Sequence, residues 1–196
     1  MALCFVVAQL DCDGYILHLT TGRLMGVRYV GITNVDADTI RRAYSTHPVT
    51  ALQFEYSIMS RDMEQDVLPV CRELGIGITA YGVLSRGLLT GSKGDRDGDI
   101  RSTYYPRFQG ENLTLNEMLA AALATVAESE GISAAQAAIG WVASQGKDII
   151  PLIGARTPER LAEALAAPLR LSSAALAAIE AAVPASAVQG TRQMAH

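Results

Sequence analysis

The stretch "CRELGIGITAYGVLSRGLLTG" at 71–91 decides the fold. It opens on the end of a helical pattern, "RDMEQDVLPVCRELG", which puts Val67, Cys71 and Leu74 on one face and stops at Gly75. The run "IGITAY" (76–81) follows and reads as a strand, and glycine and polar residues close it. Outward from this unit the same alternation recurs. "VRYVGI" (27–32), "ALQFEY" (51–56) and "DIIPLI" (148–153) are strand-like runs, each followed by a helix-like segment. Strands alternating with helices predict a parallel sheet. The runs read as apolar on both faces, as expected of strands covered on each side. Ligands of parallel α/β proteins sit at the carboxyl ends of the strands, so Thr33, Asn34, Gln53, Tyr81, Gly154 and Arg156 are the first functional candidates.

The helices announce themselves by their ends. "VDADTIRRAYST" starts at Asp36 or Asp38, and Ser133 and Gln136 form a capping box. Thr157 precedes Pro158 at a first helical position, and Ser172 caps the last helix, with Leu171 and Leu176 spaced as a hydrophobic staple. "LNEMLAAALATVAESEG" predicts an amphipathic helix that buries Leu115, Met118, Leu119, Ala122, Leu123 and Val126. The polar segment from Gly91 to Asn112 reads as a long loop. Residues 1–26 are poorly defined: "ALCFVVAQL" and "GYILHL" could be strands of a hairpin or two disconnected strands. Residues 27–184 form the ordered unit, and 185–196 read as a frayed tail.

Composition narrows the function. Hydrophobic residues make up 49% of the 196-residue chain, which excludes disorder. The net charge of −4 and the scattered basic residues argue against nucleic acid as a partner. The opening "MALCFVVAQL" is too short to span a membrane. Three widely spaced cysteines, Cys4, Cys12 and Cys71, form no metal pattern and point to a reducing compartment, the cytoplasm. Asp95, Asp97 and Asp99 resemble the start of a calcium loop, but Pro106 stands where a bidentate glutamate is needed, so no metal is expected.

In order and spacing, "VRYVGITN" (27–34), "ALQFEYS" (51–57), "CRELGIGITAYGVLSRGLLTG" (71–91), "RFQGENL" (107–113) and "PLIGARTPERLAEAL" (151–165) resemble the C-terminal half of an aldo-keto reductase. The resemblance implies a partial (β/α)8 TIM barrel of about four parallel strands with covering helices. It implies NADP(H) as cofactor and a small-molecule carbonyl as substrate. Thr33 and Asn34 match the polar pair that holds the nicotinamide carboxamide, and Gln53 matches the glutamine that contacts the same amide. Tyr81 matches the ring that stacks on the nicotinamide. Leu84 and Ser85 match the turn at the pyrophosphate. Gly154, Arg156, Arg160 and Glu163 match the segment that holds the 2′-phosphate and adenine. Ala164 stands where the family has asparagine, and Gly82 where it commonly has serine.

The family's acid tyrosine, its lysine and its aspartate belong to the first four strands and have no match here. The chain has two lysines, Lys93 and Lys147, and both follow the strand run ending at Tyr81. "YILHL" (15–19) resembles the fourth strand, which makes His18 the candidate for the histidine that orients the carbonyl; an ordinary strand or surface histidine is the alternative. Each candidate also has a plain structural reading. Thr33 and Asn34 could cap a helix, Gln53 and Tyr81 could be core, and the arginines could be a solvated helix face. Two functions follow: a shortened NADPH-dependent carbonyl reductase with little activity alone, or a non-catalytic NADP(H)-binding or assembly protein. In either case a half barrel leaves the strands at 27–32 and 148–153 as bare edges unless residues 1–26 cover one, and a homodimer through those edges or an aggregation-prone monomer is expected.

Overall fold

The computed structural model describes residues 29–91 and 99–192, together with the strand Phe5–Gln9. His18, Lys93, Asp95, Asp97, Cys4 and Cys12 lie outside the described residues. Five parallel strands form one sheet: β1 (Phe5–Gln9), β2 (Tyr29–Thr33), β3 (Ala51–Glu55), β4 (Gly77–Tyr81) and β5 (Ile149–Pro151). Each strand pairs with the next in sequence, in the order β1-β2-β3-β4-β5. Helix α1 (Ala37–Thr46) joins β2 to β3, and α2 (Val67–Leu74) joins β3 to β4. Helices α3 (Ile100–Tyr104), α4 (Gly110–Ser129) and α5 (Ala134–Ser144) lie between β4 and β5, and α6 (Pro158–Leu165) and α7 (Ser173–Ala182) follow. The parallel βα unit of a barrel is therefore present, with one strand more than the four expected. The extra strand comes from the opening segment: Phe5 to Gln9 run in register with Tyr29 to Thr33. β1 thus covers β2, and the sheet edges are β1 and β5.

Alternation along the strands sorts the two faces. Ile32, Leu52, Ile78 and Ile149 stand in one register row and are all buried. The next residues, Thr33, Gln53, Thr79 and Ile150, form a row on the other face. That second row is half-buried and mostly polar, and Ile150 is 59% exposed. The expectation of strands apolar on both faces is thereby corrected: the helix-facing side is apolar, and the opposite side carries hydroxyls and an amide.

Several helices follow their caps. Asp36 accepts from Thr39 N–H, Ser133 and Gln136 form the reciprocal box, and Thr157 and Ser172 accept from Arg160 and Ala175 N–H. Gly75 ends α2 in the left-handed region at φ 68°. The single helix read over "RDMEQDVLPVCRELG" is divided into a 3-10 turn at Asp62–Glu64 and α2. Pro69 lacks an N–H and fits only a first turn, so α2 begins at Val67, where Asp66 accepts from the Val67 N–H.

The long segment expected to be a loop holds α3, a 3-10 turn at Pro106–Phe108 and the first turn of α4. Helix α4 buries Leu123 and packs Leu119 and Val126 on the core as expected, but its buried stripe is turned toward Asn116. It buries Asn116, Ala120, Leu123 and Ala127, whereas Leu115 and Met118 are 40% and 64% exposed. The reason is Asn116: its amide donates to the Gln189 and Arg107 carbonyls and accepts from the Gln189 N–H. Three satisfied hydrogen bonds let a polar side chain occupy the core stripe. Residues 185–192, expected to fray, carry these contacts and an ion pair from Arg192 to Asp62.

Candidate functional site

The strands' carboxyl ends bring part of the predicted set together. Thr33 ends β2 and pairs in register with Gln53. Asn34 turns the chain with φ 48°, in the left-handed region that asparagine tolerates. Its backbone N–H donates to the Gln53 carbonyl at 3.0 Å, and its Oδ1 accepts from the Tyr81 hydroxyl at 3.0 Å. Asn34 and Tyr81 thus meet across β3. Thr33 and Asn34 do not cap α1, because Asp36 does. Gln53 and Tyr81 are half-buried, so neither is a core side chain.

The turn after β4 is tightly set. Leu84 precedes a run of left-handed residues, Ser85 (φ 48°), Arg86 (φ 56°) and Gly87 (φ 92°). Ser85 is buried, and its Oγ shares a 3.1 Å hydrogen bond with Ser57 Oγ. Gly82 also has positive φ (69°), and a Cβ there would come within 3.0 Å of Glu55 Cγ. The residue that replaces the family's serine therefore has a local reason to be glycine.

The remaining candidates lie beyond β5. Gly154 and Arg156 are exposed, and Arg156 makes no ion pair among the described residues. Arg160, whose side chain is 64% exposed, donates to Glu163 Oε2 at 2.9 Å. The Ser133 hydroxyl and then Arg160 hold the Glu163 carboxyl below the usual carboxylate range, so it is an anionic acceptor at neutral pH. Arg160 and Glu163 line a cleft of about 490 Å³ whose walls include Leu88, Leu89, Ala121 and Ser133. An apolar slot with a few convergent polar groups is the usual form of a small-molecule site. Arg156 and Gly154 do not line this cleft.

The sequence reading missed a second set of residues. Glu55 closes β3 and is 4% exposed, although it is charged. Ser60 donates to it, and Arg86 and Arg192 flank it at 3.5 and 3.7 Å. The strand period places Glu55 on the face of Gln53, which is the signal that could have found it. Lys147 precedes β5 and so lies toward the amino ends of the strands, opposite the end that carries Tyr81.

Comparison with known proteins decides the family. The sequence pattern described as "Aldo/keto reductase family" matches residues 19–184. The chain belongs to the aldo/keto reductase family. It is 38% identical over 169 residues to probable aldo-keto reductase 1 of Glycine max, covering 85% of this chain and 49% of that protein. The fold resembles that of the glycerol dehydrogenase AKR11B4 from Gluconobacter oxydans, with a TM-score of 0.68 and 26% identity, over 80% of this chain and 49% of that one. It also resembles the thermostable aldo-keto reductase Tm1743, with a TM-score of 0.59 and 23% identity, over 80% of this chain and 48% of that one. The chain spans about half the length of the aldo-keto reductases it matches.

Proposed function

We propose that this chain is the nucleotide-holding half of an NADP(H)-dependent carbonyl reductase. Family membership supports oxidoreductase chemistry, and the Tyr81–Asn34 hydrogen bond above Gln53 is the observation that carries the cofactor reading. The residues present fit the group. Thr33 and Gln53 offer a hydroxyl and an amide on the half-open face, which suit a carboxamide. Tyr81 keeps a flat ring beside them, and its hydroxyl is oriented by Asn34. Leu84 and Ser85 would border the pyrophosphate. The apolar cleft and Glu163 suit an adenine, and the exposed Arg156, with Arg160, suits a 2′-phosphate at the start of α6. When bound, the nicotinamide supplies the hydride for reducing a small-molecule carbonyl.

The described residues bind and orient; among them, proton donation is what falls short. General acid catalysis by tyrosine near pH 7 needs a cation that lowers its pKa from about 10. Lys147 stands at the wrong end of the sheet, and the Tyr81 hydroxyl is engaged as hydrogen-bond donor to Asn34 Oδ1. For the chain alone that favours the second reading, a non-catalytic NADP(H)-binding protein. Association through the β5 edge, as a homodimer, is part of this proposal. Among the described residues no helix is long and apolar enough to cross a membrane, and the buried free thiol of Cys71 fits the cytoplasm. The deciding experiment is calorimetric titration with NADPH and NADH. Tighter binding of NADPH is expected, and failure of both to bind would remove the proposal.

A further inference from the structure

Glu55 is a buried carboxylate with two arginines beside it, and the cofactor reading gives it no role. Its Oε1 accepts from Ser60 Oγ at 3.0 Å, and Ser60 Oγ accepts from Arg107 Nη1 at 2.7 Å. Its Oε2 faces Arg86 Nη2 at 3.5 Å and Arg192 Nη1 at 3.7 Å. A carboxylate buried this deeply must be paired, so these partners fix where it lies. The partners come from distant segments: Arg86 from the turn after β4, Arg107 from the turn before α4, and Arg192 from the end of the described chain.

The turn that carries Arg86 is set by long-range contacts. Ser85 and Arg86 hold left-handed backbone that non-glycine residues rarely adopt. Ser57 reaches the Ser85 hydroxyl, Arg101 Nη1 donates to the Arg86 carbonyl at 2.6 Å, and the Arg86 guanidinium stacks 4.3 Å from the Tyr105 ring centroid. Glu55 is the acid on its guanidinium. The tail is seated as firmly. Asn116 holds Gln189, Arg107 Nε donates to the Gly190 carbonyl, and Arg192 lies over Phe54 while pairing with Asp62 at 3.1 Å. Arg86 and Arg192 therefore share one carboxylate oxygen.

We propose that Glu55 couples the C-terminal segment to the turn after β4, so that the seating of Arg192 on Glu55 sets the nucleotide affinity of that turn. The inference rests on the nucleotide site proposed above. Arg192 and Glu55 are positioning residues: they act through Arg86 and the backbone of residues 84–87. With Arg192 gone, one guanidinium must balance Oε2 alone. Arg86 is drawn toward the carboxylate, and the left-handed turn loses its setting.

The test is NADPH titration and hydrogen exchange on wild type, Arg192→Met, Arg192→Lys, Glu55→Gln and Asp62→Asn. Arg192→Met should weaken NADPH roughly 2- to 30-fold, the range typical of network positions remote from the ligand. Amides 84–88 should exchange faster, and those of β3 and β4 should not. Arg192→Lys should recover part of the affinity. Asp62→Asn breaks only the exposed side of the Arg192 pairing and should change little. The Glu55→Gln/Arg192→Met double variant should lose less than the sum of the singles, as expected of one network. Unchanged affinity and unchanged exchange at 84–88 in Arg192→Met would overturn the proposal, and so would affinity loss accompanied by faster exchange throughout the sheet. If wild type itself does not bind NADPH, the nucleotide reading fails separately, and exchange at 84–88 alone decides the coupling.

Discussion

Replacing Arg156 with alanine is the sharpest test of cofactor preference, because the two arginines beyond β5 differ in what they already hold. Arg160 is engaged by Glu163 at 2.9 Å, so a phosphate must compete for its guanidinium. Arg156 is exposed and makes no ion pair among the described residues, so its donors are available at no such cost. A hydrogen bond to a charged group contributes about 1.5–3 kcal/mol, and exposure places this one at the lower end. Loss of about 1.5 kcal/mol is about a tenfold weakening. Arg156→Ala should therefore weaken NADPH about tenfold and NADH little. Arg160→Ala should also weaken NADPH more than NADH, but by less than Arg156→Ala, because Glu163 already engages its guanidinium. The assay is calorimetric titration of both cofactors at low and high salt, and the Arg156 effect should shrink as salt screens it. An unchanged NADPH-to-NADH ratio in Arg156→Ala, or equal losses for both cofactors, would refute this assignment of the 2′-phosphate.

Other expectations follow from single contacts. Gly82→Ala places a Cβ at 3.0 Å from Glu55 Cγ on a backbone of φ 69°, so thermal melting should show a loss of about 1–3 kcal/mol. Burial, with a smaller contribution from Asp148, pushes the Cys71 thiol from 9.0 up to about 11. A raised thiol pKa favours the neutral form in the fold, so its contribution to stability is full below about pH 9 and is lost as pH rises toward 11. In a variant lacking Cys4 and Cys12, Cys71 should resist thiol reagents at pH 8 until the chain is unfolded. Reduction of a reactive aromatic aldehyde should stay far below about 1 s⁻¹, since general acid catalysis is worth about 10²–10⁴-fold; NADPH oxidation followed by absorbance measures it. Light scattering should report a dimer, and a monodisperse monomer would contradict association through the edges.

Legibility followed distance along the chain. The caps at Asp36, Ser133, Thr157 and Ser172 were readable because each bonds to a residue three positions on. That Thr33, Gln53 and Tyr81 stand at one end of the sheet was readable because parallel strands all run the same way, whereas the face they share was not, since the runs read as apolar on both sides. Helix α4 was misread because hydrophobicity alone favours Leu115 and Met118 over Asn116. The partner that makes Asn116 a core residue, Gln189, is 73 positions away. Glu55 was passed over for the same reason, since no local pattern announces Arg86, Arg107 and Arg192. The parallel seating of Phe5–Gln9 on β2 was equally hidden, because an isolated apolar run does not state its partner.

The open face of the sheet also explains where association should occur. The row Thr33, Gln53 and Thr79 is polar and tolerates water. At β5 the same row ends in Ile150, and Leu152 beyond it is 38% exposed. On α6, Leu161 and Leu165 are 50% and 77% exposed one turn apart, and the helix buries no residue fully. Large apolar side chains are thus exposed on β5, the edge strand away from β1, and on α6, which follows it. The other former edge, β2, is already paired by β1. Two ends that looked equivalent in the sequence are therefore unequal. Hydrophobic association acts where apolar surface is exposed together, so contact between chains should form at β5 and α6 and not at β2.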